Sequence, residues 1–273
     1  METPDALGII AGSGVYPQLL ARAARRAGVQ RIVAAAFVDE TDPSLDDLVE
    51  ETEWMRVGQL ARLLNFFKNA RVRQAMMAGQ IAPANLFALR PDWKALLLLA
   101  RLKRRNAETI FGAIANELAA VGVELLPAFT FLADQLAGVG LIAGRSLSRR
   151  EWADVAFGFE VAKEVSRLDI GQTVIVKDGT VLAVEAFEGT NEAIKRGGGL
   201  AGKGAVMVKM AKPDQDMRFD VPVIGPETLH VAAQANVRVI AVEAGRTLLL
   251  SREELVASAL RIHCSLVGVS GAT

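Results

Sequence analysis

Residues 209–220, KMAKPDQDMRFD, hold three cations, Lys209, Lys212 and Arg218, and three carboxylates, Asp214, Asp216 and Asp220. An apolar run, GAVMVKM, leads into them and a turn-forming VPVIGP follows. Cations in this pattern can neutralise a diphosphate, lysine as a point charge and arginine as a bidentate clamp. The aspartates can hold a divalent cation or activate a water molecule. Phosphoryl transfer draws most of its barrier reduction from positioning and charge neutralisation, which calls for this mixture of signs. A solvated charged loop is the plainer reading of the same residues. Pro213 and Pro222 favour the first, because prolines stiffen a loop that must hold side chains in place.

Three other stretches carry candidate chemistry. Gly12, Ser13 and Gly14 follow an apolar run and precede a helical pattern, where backbone N–H groups and a helix N-terminus can face a phosphate. Pro17 suits the first helical turn, but it stands where the dinucleotide fingerprint has its third glycine, although Asp39 lies near the place of a ribose-binding carboxylate. Asp169-Ile170-Gly171-Gln172 lies at a helix-to-strand junction, where its polar groups bind loop backbone or ligand. Glu185, Glu188, Thr190 and Asn191 follow a strand pattern: Glu188 and Asn191 can cap the following helix, and equally Thr190 and Asn191 at its N-terminus can serve as phosphate donors. The chain has two histidines and one cysteine, too few for a soft-ligand zinc site, so a metal here is a hard one held by oxygen, magnesium or manganese. His230, His263 and Cys264 fall singly on helical patterns and read as structural.

The elements that must position these residues follow from periodicity. LGIIAG, QLLARAARRAG and RIVAAAFV read as strand, helix and strand, a parallel βαβ unit with a right-handed crossover. A helix is expected over 59–70, a strand over QAMMAGQI, a helix over 106–121 and strand material in VELLPAFTFL. Residues 138–151 are rich in Gly, Ser and Arg and mark a domain boundary, giving domains 1–137 and 138–273. From Ser148 a helix sets Trp152, Val155, Phe159 and Ala162 along one stripe. TVIVKDGTVLAVEAF reads as a hairpin turning at Asp178-Gly179, and GAVMVKM, PETLHVAAQANV, VIAVEAG and TLLLSREELVASALRI supply further strands and helices. The fold class is therefore α/β: a Rossmann-like parallel-sheet domain, then a mixed α/β domain.

Composition narrows the function. Thirty-one basic and thirty-one acidic residues cancel, which argues against a nucleic-acid binder. A hydrophobic content of 51% supports a sizeable core and argues against disorder. One cysteine and an acidic N-terminus without a secretory pattern predict a cytoplasmic chain. ALLLLA, residues 95–100, is too short to span a bilayer; WKALLLLARLKRR around it, residues 93–105, reads as a core helix with a solvated turn, or as a surface that meets acyl chains or an anionic membrane face.

The motifs GIIAGSGVYP (8–17), RLDIGQTVIVKDGTVLAVEAFEGTN (167–191), VKMAKPDQDMRFDVPVIGPETL (208–229) and IAVEAGRTLLL (240–250) resemble those of the I-type UDP-2,3-diacylglucosamine pyrophosphatases of lipid A biosynthesis, in order and spacing. The resemblance implies a two-domain cytoplasmic enzyme whose domains enclose the substrate. It implies hydrolysis of the diphosphate to UMP and 2,3-diacylglucosamine 1-phosphate, by water attacking the uridine-side phosphorus, with a divalent metal, usually magnesium. The family's essential aspartate corresponds to Asp220, which the resemblance makes catalytic and a metal ligand, with Asp216 beside it. Gly12, Ser13, Gly14, Gln172, Thr190, Asn191, Lys209, Lys212 and Arg218 are then the expected substrate-binding residues. The partner is a lipid-linked UDP-sugar, with room for a transient inner-membrane contact, a peripheral location and a homodimer. Asn191 departs from the family's aspartate, and Arg105-Asn106-Ala107-Glu108 departs from a Gly-Asp-Asp stretch. Those departures motivate an alternative, a non-catalytic protein that binds a nucleotide or acyl sugar. A third reading, a nicotinamide-dependent oxidoreductase, rests on the glycine turn and Asp39 alone.

Overall fold

A computed structural model describes residues 3–81, 91–103, 106–213 and 215–270. Asp214 and Arg105 lie outside the described residues. The chain divides into two compact units, one of residues 1–132 with 216–220, the other of residues 133–215 with 221–273.

The first unit is built on a parallel sheet of β1 (Ala6–Ala11), β2 (Arg31–Phe37), β3 (Glu51–Met55), β4 (Gln74–Ala78) and β5 (Glu124–Leu125), in the order β3-β2-β1-β4-β5. β1, β2 and β4 read as unbroken apolar runs because helices cover both faces of a parallel sheet. The helices are α1 (Tyr16–Arg26), α2 (Leu60–Asn69), α3 (Trp93–Arg101) and α4 (Ala107–Ala120). α1 buries Leu20, Ala21, Ala23 and Ala24 and leaves its arginines outside, the amphipathic division its periodicity predicts. VELLPAFTFL forms far less strand than its composition suggests. The amides of Glu124 and Leu126 bond to Arg73 and Ala75, and the ladder then stops at Pro127, which has no N–H to donate. β3 has no apolar run because it is an edge strand with its charged residues partly exposed.

The second unit holds β6 (Gly140–Ala143), β7 (Thr173–Lys177), β8 (Thr180–Val184), β9 (Ala205–Lys209), β10 (Val223–Ile224), β11 (Val237–Glu243), β12 (Leu248–Leu249) and β13 (Ser265–Val269). Six of them form a mixed sheet, β6-β13-β11-β9-β7-β8, with β9, β11 and β13 parallel in the middle. β10 and β12 make a separate parallel pair. Successive strand residues alternate between two cores. Val174, Val176, Val206 and Val208 meet α5 (Arg149–Arg167) through Val155, Phe159 and Ala162. Ile175, Met207 and Ile240 face the opposite way, among residues of α6 (Thr190–Ala201), α7 (Pro226–Gln234) and α8 (Arg252–Arg261). Trp152 was expected on the α5 stripe, but it is 43% exposed. Asp154 is buried instead, and its carboxylate accepts from the amides of Asp178 (2.9 Å) and Gly179 (2.7 Å). Those two residues, both at positive φ, turn the β7–β8 hairpin as predicted. Cys264 is fully buried, and burial pushes its thiol up to about 12, so it is a core residue. Among the described residues no helix is long and apolar enough to cross a membrane.

Candidate functional site

In the second unit the N-terminal end of β7, the C-terminal ends of β8, β9 and β11, and the start of α6 bring polar side chains together. Antiparallel pairing sets Thr173 opposite Lys209, and parallel pairing sets Val242 opposite Lys209 with Glu243 next in line. Lys209 is only 4% exposed. A buried ammonium needs a partner, and its Nζ donates to Thr190 Oγ1 at 2.7 Å. Thr190 in turn donates to Glu185 Oε1 at 2.7 Å. The second oxygen of Glu185 lies 3.4 Å from the amide of Gln172. Gly171 is needed for this approach, since a Cβ there would overlap the carbonyl oxygen of Glu185. Glu243, also buried, accepts from the amide of Ala211 at 2.8 Å. The hydroxyl of Thr173 is buried beside this group with no hydrogen-bond partner among the described residues.

Of the predicted residues, the structure thus joins Lys209, Thr190 and Gln172 in one network. Lys212 belongs to the same rim: its Nζ is ion-paired with Asp169, and its amide donates to Gln215 Oε1 at 2.7 Å. Asn191 is the second residue of α6, whose N-cap Gly189 offers no side chain. Glu188 takes no capping role; it pairs with Arg196 at 2.5 Å. The buried carboxylates Glu185 and Glu243 were not among the predicted site residues. The usable sequence signal was an acidic residue ending an apolar strand, which seldom occurs without a partner.

Residues 216–220 belong to the first unit. They form a tight turn in which the amides of Phe219 (3.2 Å) and Asp220 (3.0 Å) donate to the carbonyl of Asp216, and Ala128 donates to the carbonyl of Met217. Arg218 grips both oxygens of Asp216, Nε to Oδ1 at 2.9 Å and Nη2 to Oδ2 at 2.6 Å. That bond holds the Asp216 carboxyl below its usual range and raises the guanidinium. Arg218 and Asp216 therefore neutralise each other, where the sequence suggested one for phosphate and one for metal.

The ring of Phe219 lies 5.8 Å from that of Phe111 and forms part of the wall of an apolar cavity of about 150 Å³. The cavity lies at the carboxyl ends of β1 and β4, where the winding of the sheet reverses; open parallel sheets bind ligands at that point. Leu98 and Leu99 of α3 and Ile110, Phe111 and Ile114 of α4 supply other walls. Periodicity marked α3 and α4 as helices, but only tertiary packing aims them at Phe219.

The glycine turn differs from expectation. The amides of Gly12 and Ser13, expected to face a phosphate, donate to the carbonyls of Ala78 (2.8 Å) and Gln80 (2.7 Å). The Ser13 hydroxyl also donates to Gln80 at 2.9 Å. Gly12 is required by closeness, because a Cβ would lie 2.5 Å from the Gln80 oxygen, and Gly14 by its φ of 85°. The turn staples β1 to the chain beyond β4, and Gly12 lines the apolar cavity. Asp39 is exposed at positive φ in the turn after β2.

Among the described residues no three His, Cys, Asp or Glu side chains converge on a point that could hold a metal ion. A cage made by the protein is therefore absent from them. Magnesium does not need one, since it keeps several waters and takes one or two carboxylates with substrate phosphates. Asp220 together with a diphosphate is a donor set of that kind. Asn106 is the N-cap of α4, its Oδ1 accepting from the amide of Thr109 at 3.0 Å. Asparagine and aspartate cap about equally well, so this departure has a structural role.

Two family models match the chain, the LpxI N-terminal domain over residues 6–135 and the LpxI C-terminal domain over residues 138–267. A curated relative, the UDP-2,3-diacylglucosamine pyrophosphatase LpxI of Caulobacter vibrioides, is 32% identical over 274 aligned positions, covering 96% of this chain and 97% of the relative.

Proposed function

Because this chain belongs to the LpxI family, we propose that it hydrolyses the diphosphate of UDP-2,3-diacylglucosamine to UMP and 2,3-diacylglucosamine 1-phosphate in lipid A biosynthesis, acting in the cytoplasm. One observation carries the reading. The apolar cavity at the sheet's switch point is walled by Phe219, and Asp220 is the next residue. Acyl-chain recognition and a carboxylate for the reaction are thereby fixed to one short turn.

In this reading the cavity takes acyl carbon, gaining about 0.8 kcal/mol for each methylene buried. Asp220 orients the attacking water and accepts its hydrogen bond. Water adds to one phosphorus of the diphosphate, the bond from that phosphorus to the bridging oxygen breaks, and the bridging oxygen leaves with the other phosphate, giving UMP and the sugar 1-phosphate. In the second unit Lys209, held by Thr190, and Lys212 are the cations suited to a phosphate, beside Gln172, Thr190 and Asn191 as its positioning groups. Lys212 reaches phosphate by exchanging Asp169 for it, and Arg218 does so by releasing Asp216. A magnesium or manganese ion, held by Asp220, would add charge neutralisation and a more acidic water. Asp216 is assigned to Arg218 rather than to the metal.

The test is release of UMP from UDP-2,3-diacylglucosamine by purified protein, with and without magnesium. Wild-type turnover that falls by at least ~10²-fold in Asp220→Asn is expected, the size of effect typical for a group that activates a nucleophile. Clean, folded wild type that binds the substrate without turning it over would overturn the reading and leave a binding protein.

A further inference from the structure

Helix α3 is apolar on both of its long faces. Ala95, Leu98 and Leu99 line the cavity of the first unit. On the other side Trp93, Leu96 and Leu97 are 66%, 54% and 49% exposed. Spaced i, i+3 and i+4, these three make one strip rather than scattered surface leucines. A helix with apolar residues all round is normally buried or in contact with lipid.

Charge identifies the occupant of the strip. Residues 91–105 contain five cations, Lys94, Arg101, Lys103, Arg104 and Arg105, and a single carboxylate, Asp92, in a chain whose charges otherwise balance. Asp92 is engaged as the helix cap, accepting from the amides of Ala95 (2.9 Å) and Ala61 (2.7 Å). Lys94 pairs with Glu117 at 3.0 Å, while Arg101 and Lys103 are exposed at the end of the helix. Aromatic and aliphatic residues on one side with cations at the end are the composition of a helix that lies in a membrane interface.

We propose that α3 docks the protein on an anionic phospholipid bilayer. Trp93, Leu96 and Leu97 enter the boundary between headgroups and acyl chains, and Arg101 and Lys103 meet lipid phosphates. The inner face of the same helix walls the acyl cavity, so docking brings the cavity to the layer in which a diacyl substrate resides. The choice of lipid over protein rests in part on the hydrolysis proposed above.

Full-length protein is floated with phosphatidylcholine vesicles, with and without phosphatidylglycerol, in the absence of substrate. Binding to the anionic vesicles is expected, with a blue shift of Trp93 emission in a Trp54→Phe/Trp152→Phe background. Arg101→Gln/Lys103→Gln should weaken it roughly thirtyfold, from two cations near an anionic surface, and Leu96→Ser/Leu97→Ser should abolish it with far-UV circular dichroism unchanged. Absence of wild-type flotation, or flotation indifferent to both double variants, overturns the proposal. So does a dimer in sedimentation velocity that Leu96→Ser/Leu97→Ser dissolves, which would give the strip to a second copy. The vesicles carry no substrate, so a failure here is distinct from a failure to hydrolyse.

Discussion

Replacing Lys209 with methionine tests whether the buried ammonium, Thr190 and Glu185 act as one unit. Methionine keeps most of the stem volume, so packing changes little. What is lost is the 2.7 Å charge-assisted bond to Thr190, worth about 1.5–3 kcal/mol. Thr190→Val removes more, because it strands the 4% exposed ammonium and also takes the hydroxyl donor from Glu185. Breaking one side of a buried charged group costs about 3–5 kcal/mol. In the double variant the stranded ammonium is gone, and the apolar pair is of similar shape. Its loss should fall short of the sum of the single losses by at least about 1 kcal/mol. Urea unfolding followed by circular dichroism, with amide exchange on β9, measures all four corners of the cycle. Additivity within about 0.5 kcal/mol would refute the linked network.

Asp154→Ala should destabilise the second unit by about 3 kcal/mol, since it leaves two hairpin amides without their acceptor; urea unfolding checks this, and loss under 1 kcal/mol contradicts it. Glu151, capping α5 and bonded by Arg145, has its carboxyl lowered from 4.5 to about 2. A depressed folded value means that its contribution is complete above pH 4.5 and is lost as pH falls toward 2. Glu151→Gln should flatten the acid limb of the stability curve in that window; an unchanged limb refutes it. Gly12→Ala must push Gln80 away from β1, at a cost of about 1–3 kcal/mol. Unchanged thermal unfolding would show that the loop yields freely.

Legibility followed periodicity and local chemistry. The βαβ start, the helices α1, α2, α4 and α5 and the Asp178-Gly179 hairpin declare themselves because each pattern is local. The strands β3, β6 and β13 do not. β3 and β6 are edge strands with exposed positions, and β13 is a five-residue run closing a sheet begun far away in sequence. The apolar cavity was only hinted at, by the leucines of α3.

The sequence alone determined the motif set, the α/β class and the candidate residues Lys209, Thr190, Gln172 and Asp220, because residue type and spacing along one chain suffice for those. Tertiary structure decided which charges are already neutralised. Asp216 binds Arg218, Asp169 binds Lys212, and Gln80 takes the amide of Ser13. It also sets residues 216–220 into the first unit, against helices more than a hundred residues earlier. Ion pairs and cavities depend on distances through space, and a linear order of residue types does not fix those distances.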